Sequence, residues 1–281
     1  MLAILGGLGA ALAWATTTLT AARAARFVDS WSLLASVMAV GFLVTVPVAA
    51  FAGVPSALDA HSAVWLVVSG AGNVVGLLLT YSALRIGKVG LVAPLASTEG
   101  AVAALIAVVA GEKLTAGAGV TLLAIAVGVM LATIAPAEID TRRSDLRAGV
   151  YAAGAAVSFG FGLYATGRVG QDLGIAWALL PPRVVGVAAI AIPLALARRW
   201  RIQRRALPYV VVCGLCEVLG FAAYAFGARH GLAVAAVLAS QFAAIAAVIG
   251  YVAFRERLAR IQVVGVATIV CGVSVLSALH G

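Results

Sequence analysis

Residues 89–110 read VGLVAPLASTEGAVAALIAVVA, an apolar run with one carboxylate, Glu99, near its middle. The run is long enough to cross a bilayer as a helix. A carboxylate at that depth costs roughly 2.5–3.5 kcal/mol on insertion scales, so chains that keep one bury it in protein or water and use it. Glu217 lies inside another such run, and the remaining acidic residues fall at or near run ends. Two intramembrane acids on different helices predict a polar pathway through a helix bundle.

The rest of the chain follows this pattern. It has 281 residues, 64% hydrophobic and 10% charged. A soluble domain of that size cannot hide so much apolar surface, so lipid must cover the outside. Ten spanning runs are expected: Leu2–Ala22, Trp31–Phe51, Ala63–Leu84, Val89–Ala110, Ala116–Pro136, Ala148–Gly167, Gly174–Ala197, Leu207–Gly227, Leu232–Phe254 and Ile261–Leu279. They are long and continuous, which favours helices over the alternating ten-residue strands of a barrel. The first run lacks a basic flank and is longer than a signal-peptide core, so it reads as a retained helix. The expected place for such a chain is the cytoplasmic membrane, spanned many times.

The formal charge of +9 invites a nucleic-acid reading. The Arg residues, however, are scattered over helix ends, where they suit lipid phosphates, and no basic domain or aromatic platform accompanies them. Cys213 and Cys216 form a CxxC inside a run, with no second pair or His at zinc spacing, and read as small core residues. No Gly-rich phosphate loop, HExxH or nucleophile elbow occurs, and His61, His230 and His280 are isolated. No cofactor or metal and no enzymatic role is expected. An integral-membrane enzyme stays a remote alternative.

The two halves resemble each other at an offset of about 144 residues. Gly70 to Gly76 (GAGNVVG) matches Gly214 to Gly220 (GLCEVLG), which pairs Asn73 with Glu217. Tyr81 matches Tyr224, Leu95-Ala96-Ser97 matches Leu238-Ala239-Ser240, and the corner at Glu112 matches that at Glu256. Each unit, residues 1–140 and 146–281, holds five expected helices. An odd unit enters the membrane from opposite sides in its two copies, the inverted-topology arrangement of secondary transporters.

These features resemble the EamA-type branch of the drug/metabolite transporter superfamily: two five-helix repeats, acidic-basic-Leu corners at Glu112 and Glu256, Pro94 in the fourth helix and Arg183 in the seventh. The resemblance covers the whole chain. Two departures stand out. The second helix has no Arg to match Arg183, and Val237 replaces the proline of the repeat partner Pro94. The resemblance implies an all-α, ten-helix transporter whose central cavity is lined by helices 1, 3, 4, 6, 8 and 9. It leaves the cargo open among amino acids, nucleobases, drugs and sugars.

Candidate residues for substrate or protons follow. Glu99 and Glu217 can exchange a proton, pair with a substrate amine, or serve as neutral packing bonds. Asn73 is cavity polarity or interhelical glue. Trp14 and Phe159 take matching places in helices 1 and 6 and could floor a cavity with Thr16, Thr17, Thr18 and Tyr164 nearby, or simply pack. Ser97 is matched by Ser240, with Gln241 next to it, groups suited to a polar metabolite. Tyr81 and Tyr224 lie towards helix ends, where interfacial anchoring is the ordinary explanation and a cavity role the alternative. Arg183 reads as a snorkelling or structural residue, with Glu217 as an alternative partner. Pro94 should kink helix 4. The expected function is export of a small polar or amphipathic metabolite, coupled to protons. An uncoupled facilitator is the alternative. A single chain with both repeats suffices as a monomer, with lipids as its other partners.

Orientation follows from charge. If ten helices put both termini on one side, the loops of that side carry Lys113, Arg168 and Arg229, and the opposite loops carry all other Lys and Arg outside the spans. The positive-inside rule then places the termini outside the cell, whereas the resemblance implies the reverse. A reporter active only in the cytoplasm, fused after Gly281, is expected to stay silent, and a periplasm-active one to respond.

Overall fold

The computed structural model describes residues 1–87, 92, 95–113, 115–133 and 142–246, and then 261, 264–265, 267–268, 271–272 and 275. Within them the regular structure is helical. Pro94, the Glu256 corner and most of the tenth run lie outside the described residues. The helices are α1 (Leu2–Ala24), α2 (Ser30–Ala52), α3 (Ala60–Ile86), α4 (Glu99–Val109), α5 (Ala116–Thr133), α6 (Arg142–Asp172), α7 (Ile175–Gly186), α8 (Leu207–Ala228) and α9 (Leu232–Ala239). A π-helical turn, Val187–Ala191, and a short α-helical piece, Ile192–Leu196, continue α7. By length and composition, α1, α2, α3, α6, α7 with its continuation, and α8 can each cross a membrane, and α4, part of α5 and α9 are shorter apolar helices.

Local chemistry sets the starts of the long helices. The Asp29 side chain accepts from the Trp31 and Ser32 N–H groups and caps α2. At α3, Asp59 accepts from the Ser62 N–H, and the Asp59 N–H donates to Ser62 Oγ, a reciprocal capping box. Between elements the chain turns on Gly53, Gly174 and Gly231, all at positive φ. Outward positions are apolar: Phe51 is 93% exposed and Val109 81%, which suits a lipid-facing surface.

The fourth and ninth runs are not uninterrupted α-helices. Ser97–Thr98 and Ser240–Gln241 each form a tight turn. The Thr98 N–H donates to the Leu95 carbonyl, and the Gln241 N–H to the Leu238 carbonyl, three residues back instead of four. Side chains take up part of the slack: Thr98 Oγ1 donates to Leu95 O, Ser240 Oγ and Gln241 Nε2 to Val237 O. Both turns sit at the same register, 143 residues apart.

The most extensive contacts are those of α3 with α6 and α1 with α8. Next, α4 packs on α6 and α9 on α1, α4 meets α9, α2 meets α7, and α3 and α8 flank the α2–α7 pair. Exchanging α1 with α6, α2 with α7, α3 with α8 and α4 with α9 returns the same set of contacts. Two clusters make up most of the buried core among the described residues. One joins Trp14, Phe221, Tyr224 and Leu238, and the other Leu33, Leu34, Met38, Tyr81 and Cys213.

Backbone meets backbone where α1 crosses α8. A Cβ on Gly6 would lie 2.5 Å from Gly227 Cα and 2.6 Å from Ala223 O. Overpacking of this kind costs about 1–3 kcal/mol. Gly6→Leu is therefore expected to lower the melting temperature of the purified protein, whereas Gly119→Ala, with nothing within 4 Å of its ideal Cβ, should not.

Candidate functional site

A cavity opens between α1, α3, α6 and α8, closed on one flank by the interrupted fourth and ninth spans. It is lined by Trp14, Thr17 and Thr18 of α1, Asn73, Leu77, Thr80 and Tyr81 of α3, Ala96 and Glu99, Phe159, Gly162 and Leu163 of α6, Glu217 and Phe221 of α8, and Phe242. Many of these residues fall into pairs at the repeat offset: Trp14 with Phe159, Thr17 with Gly162, Asn73 with Glu217, Leu77 with Phe221, Glu99 with Phe242. The volume is about 60 Å³, room for a few water molecules and far below the 300–1,000 Å³ of a drug-sized site.

The two acids enter from different directions. Glu99 is the first residue of α4, immediately after the Ser97–Thr98 turn, and is 4% exposed. Glu217, 3% exposed, projects from mid-α8. Both carboxylates line the same cavity. Asn73 Nδ2 donates to Glu217 Oε1 at 3.2 Å, so the residues paired by the repeat touch across the cavity. The matched aromatics stand on the matched glycines. Phe159 lies over Gly76 and Trp14 over Gly220, in each case leaving no room for a Cβ.

Several polar atoms here have no partner among the described residues. Buried Trp14 Nε1 and Asn73 Oδ1 and the Thr80 hydroxyl are unsatisfied. Each unpaired buried group costs roughly 1–3 kcal/mol, so these atoms are poised for water or a ligand. The helix-1 threonines, by contrast, are spent. Thr18 Oγ1 donates to Trp14 O, Thr16 Oγ1 to Leu12 O, and Thr17 Oγ1 to Cys213 O at 3.4 Å.

Other sequence-predicted residues fall elsewhere. Ser97, Ser240 and Gln241 are buried at the two turns beside the cavity and do not line it; Gln241 Oε1 is unsatisfied. The start of α4 touches the second turn, because Gly100 packs against Ser240. Tyr164 lines a separate, more open depression with Glu112, Arg168 and Gln171, and meets Trp65 edge-on at 5.5 Å. Tyr81 and Tyr224 are fully buried, with no interfacial exposure. Tyr81 lies against Cys213 Sγ at 3.7 Å, and the Tyr224 hydroxyl donates to Leu163 O at 2.9 Å.

Arg183 does not snorkel. It is completely buried, and none of its three guanidinium nitrogens has a hydrogen-bond partner among the described residues. Its Cζ lies 5.1 Å from the centroid of the Phe221 ring. That contact is worth about 0.5–2 kcal/mol, against several kcal/mol for desolvating an ion.

Family comparison agrees with this architecture. The sequence profile of the EamA-like transporter family matches residues 1–134 and again residues 146–278. The chain belongs to the EamA-like transporter family. It is thus a multi-pass membrane protein of the drug/metabolite transporter superfamily, whose members are transporters rather than enzymes. It is also similar in fold to a solved structure titled only as a crystal structure of a protein, with a TM-score of 0.73 and 21% identity over 99% of this chain and 96% of that one. No curated protein matches the chain.

Outside the cavity, the corner residue Glu112 has a defined task. Its two carboxylate oxygens accept from the Ala233 N–H, both at 3.2 Å, capping the start of α9. Burial pushes its pKa up, and the backbone N–H groups of Ala233 and Leu232 only partly oppose this. A folded-state pKa above the unfolded value means that folding favours the protonated acid. That contribution is present below the ordinary carboxyl value of 4.5 and is lost as pH rises through the folded pKa. The melting temperature of the wild type relative to Glu112→Gln should therefore fall as pH is raised from about 4 to 7, read by thermal unfolding in detergent.

Proposed function

We propose that this protein is a ten-span secondary transporter of two inverted five-helix repeats, 1–140 and 146–281, which moves a small polar or amphipathic metabolite outward across the cytoplasmic membrane in exchange for protons. The observation that carries the reading is the meeting of Glu99 and Glu217, from opposite halves of the chain, in one buried cavity between the helices that exchange under the repeat. Two separate family matches, one per half, support the repeat.

The mechanism follows from the inventory of the cavity. Cargo with an acceptor group satisfies Trp14 Nε1, and a donor on the same molecule satisfies Asn73 Oδ1. Phe159, Leu77 and Phe221 supply the apolar walls. A proton or a cationic group on the cargo neutralises the acids in turn. At about 60 Å³ the cavity must widen to admit cargo. Rocking of one half against the other about the α4–α9 crossing opens it to either side. One chain contains the whole cavity, so a monomer suffices.

The test is flux in proteoliposomes under imposed pH gradients, with cargo drawn from a thermal-shift screen of metabolites. Glu99→Gln and Glu217→Gln are each expected to lose gradient-driven flux by tenfold or more while retaining exchange of cargo for cargo. Full gradient-driven flux in both variants removes the coupling and leaves an uncoupled facilitator, in which flux follows the cargo gradient alone.

A further inference from the structure

Arg183 has no part in that mechanism, and its surroundings give it no partner of its own. Charged residues within membrane spans ordinarily pair with one another or with backbone carbonyls. Here Nε and both terminal nitrogens have no hydrogen-bond partner among the described residues, and the residue is 0% exposed, so neither a lipid headgroup nor bulk water reaches it. Its stem is pressed against α2 at Gly41, where a Cβ would lie 2.7 Å from Nε. The groups whose fields it feels are Glu217 and Cys213 of α8 and Tyr81 of α3. Glu217, the only carboxylate among them, gives one oxygen to Asn73.

The Phe221 ring links Arg183 to the cavity. It carries the guanidinium at 5.1 Å, meets Trp14 edge-on at 5.3 Å, and lines the cavity itself. Phe221 and Glu217 are one helical turn apart on α8, so both look the same way. A shift of this ring would bring the guanidinium to the cavity wall.

We infer that Arg183 is a concealed anion-binding residue of the cavity, which takes a carboxylate or phosphate group of the cargo once Phe221 moves aside. The planar fork of a guanidinium matches either group with two parallel hydrogen bonds, and all its donors are available. This inference rests on the transporter reading and narrows its cargo to molecules that carry an anionic group.

Acetate, inorganic phosphate and, as controls, chloride and methylammonium at matched ionic strength are added to the full-length protein in detergent, and thermal unfolding is followed. Acetate or phosphate is expected to raise the wild-type melting temperature by about 2–4 °C at several times its Kd, and which of them does so distinguishes carboxylate from phosphate. Arg183→Met should lose this shift. Arg183→Lys, which keeps the charge and loses the fork, should retain only part of the shift. No anion-specific shift in the wild type, or a shift that survives in Arg183→Met, would each overturn the assignment. Proton-driven flux without an anion shift removes the role of Arg183 and leaves transport standing, whereas an anion shift without flux of any cargo does the reverse.

Discussion

A helix in lipid can be interrupted only where protein surrounds the interruption, because hydrocarbon offers nothing to an unpaired N–H or C=O. That constraint organises this molecule. The turns at Ser97–Thr98 and Ser240–Gln241 disturb the backbone ladder inside two apolar runs. Gly100, at the start of α4, packs on Ser240 of the second turn, α6 packs on α4, and α1 and α8 pack on α9. Hydroxyl and amide side chains at the turns bond to nearby carbonyls, so part of the loss is made good locally. The interruption delivers Glu99 to the N-terminal end of a half-helix facing the centre, an end that in transporters commonly faces the ligand.

Charge at the centre is the second organising fact. Glu99 and Glu217 line one cavity, Arg183 lies against the Phe221 ring of its wall, and all three are buried. With all three ionised one negative charge is left over, which a single proton or a single cationic group cancels. A neutral centre is far cheaper to enclose than a charged one. In the proposed cycle this couples the occupancy of the cavity to the ease with which the bundle closes over it, so the ionic state of the interior and the conformational change are one problem.

Much of this was legible in the chain. The offset of about 144 residues paired Asn73 with Glu217, and the structure places them in hydrogen-bond contact. It paired Trp14 with Phe159 and Gly76 with Gly220, and the aromatics rest on those glycines crosswise. Burial of Tyr81, Tyr224 and Arg183 was not legible, because hydropathy reports how apolar a segment is and not which face turns inward. The turns were hidden for another reason. Ser, Thr and Gln sit in apolar helices without breaking them, so their presence alone carries no sign of a changed hydrogen-bond register. The threonines of α1 misled in the opposite sense: their hydroxyls advertise polarity in the sequence but fold back onto carbonyls within the chain. Thr80 carried no signal, since nothing in its neighbourhood distinguishes it from a filler residue.

The contact between Gly6 and Gly227 bears on how such a bundle moves. Two helices that touch through interlocked side chains must disengage before they turn, whereas at Gly6 and Gly227 the facing surfaces are main chain. Further along the same crossing Trp14 lies over Gly220 and against Phe221, so the α1–α8 seam is smooth at one end and toothed at the other. In the proposed cycle the smooth end is a bearing, and a methyl group there would take that freedom away.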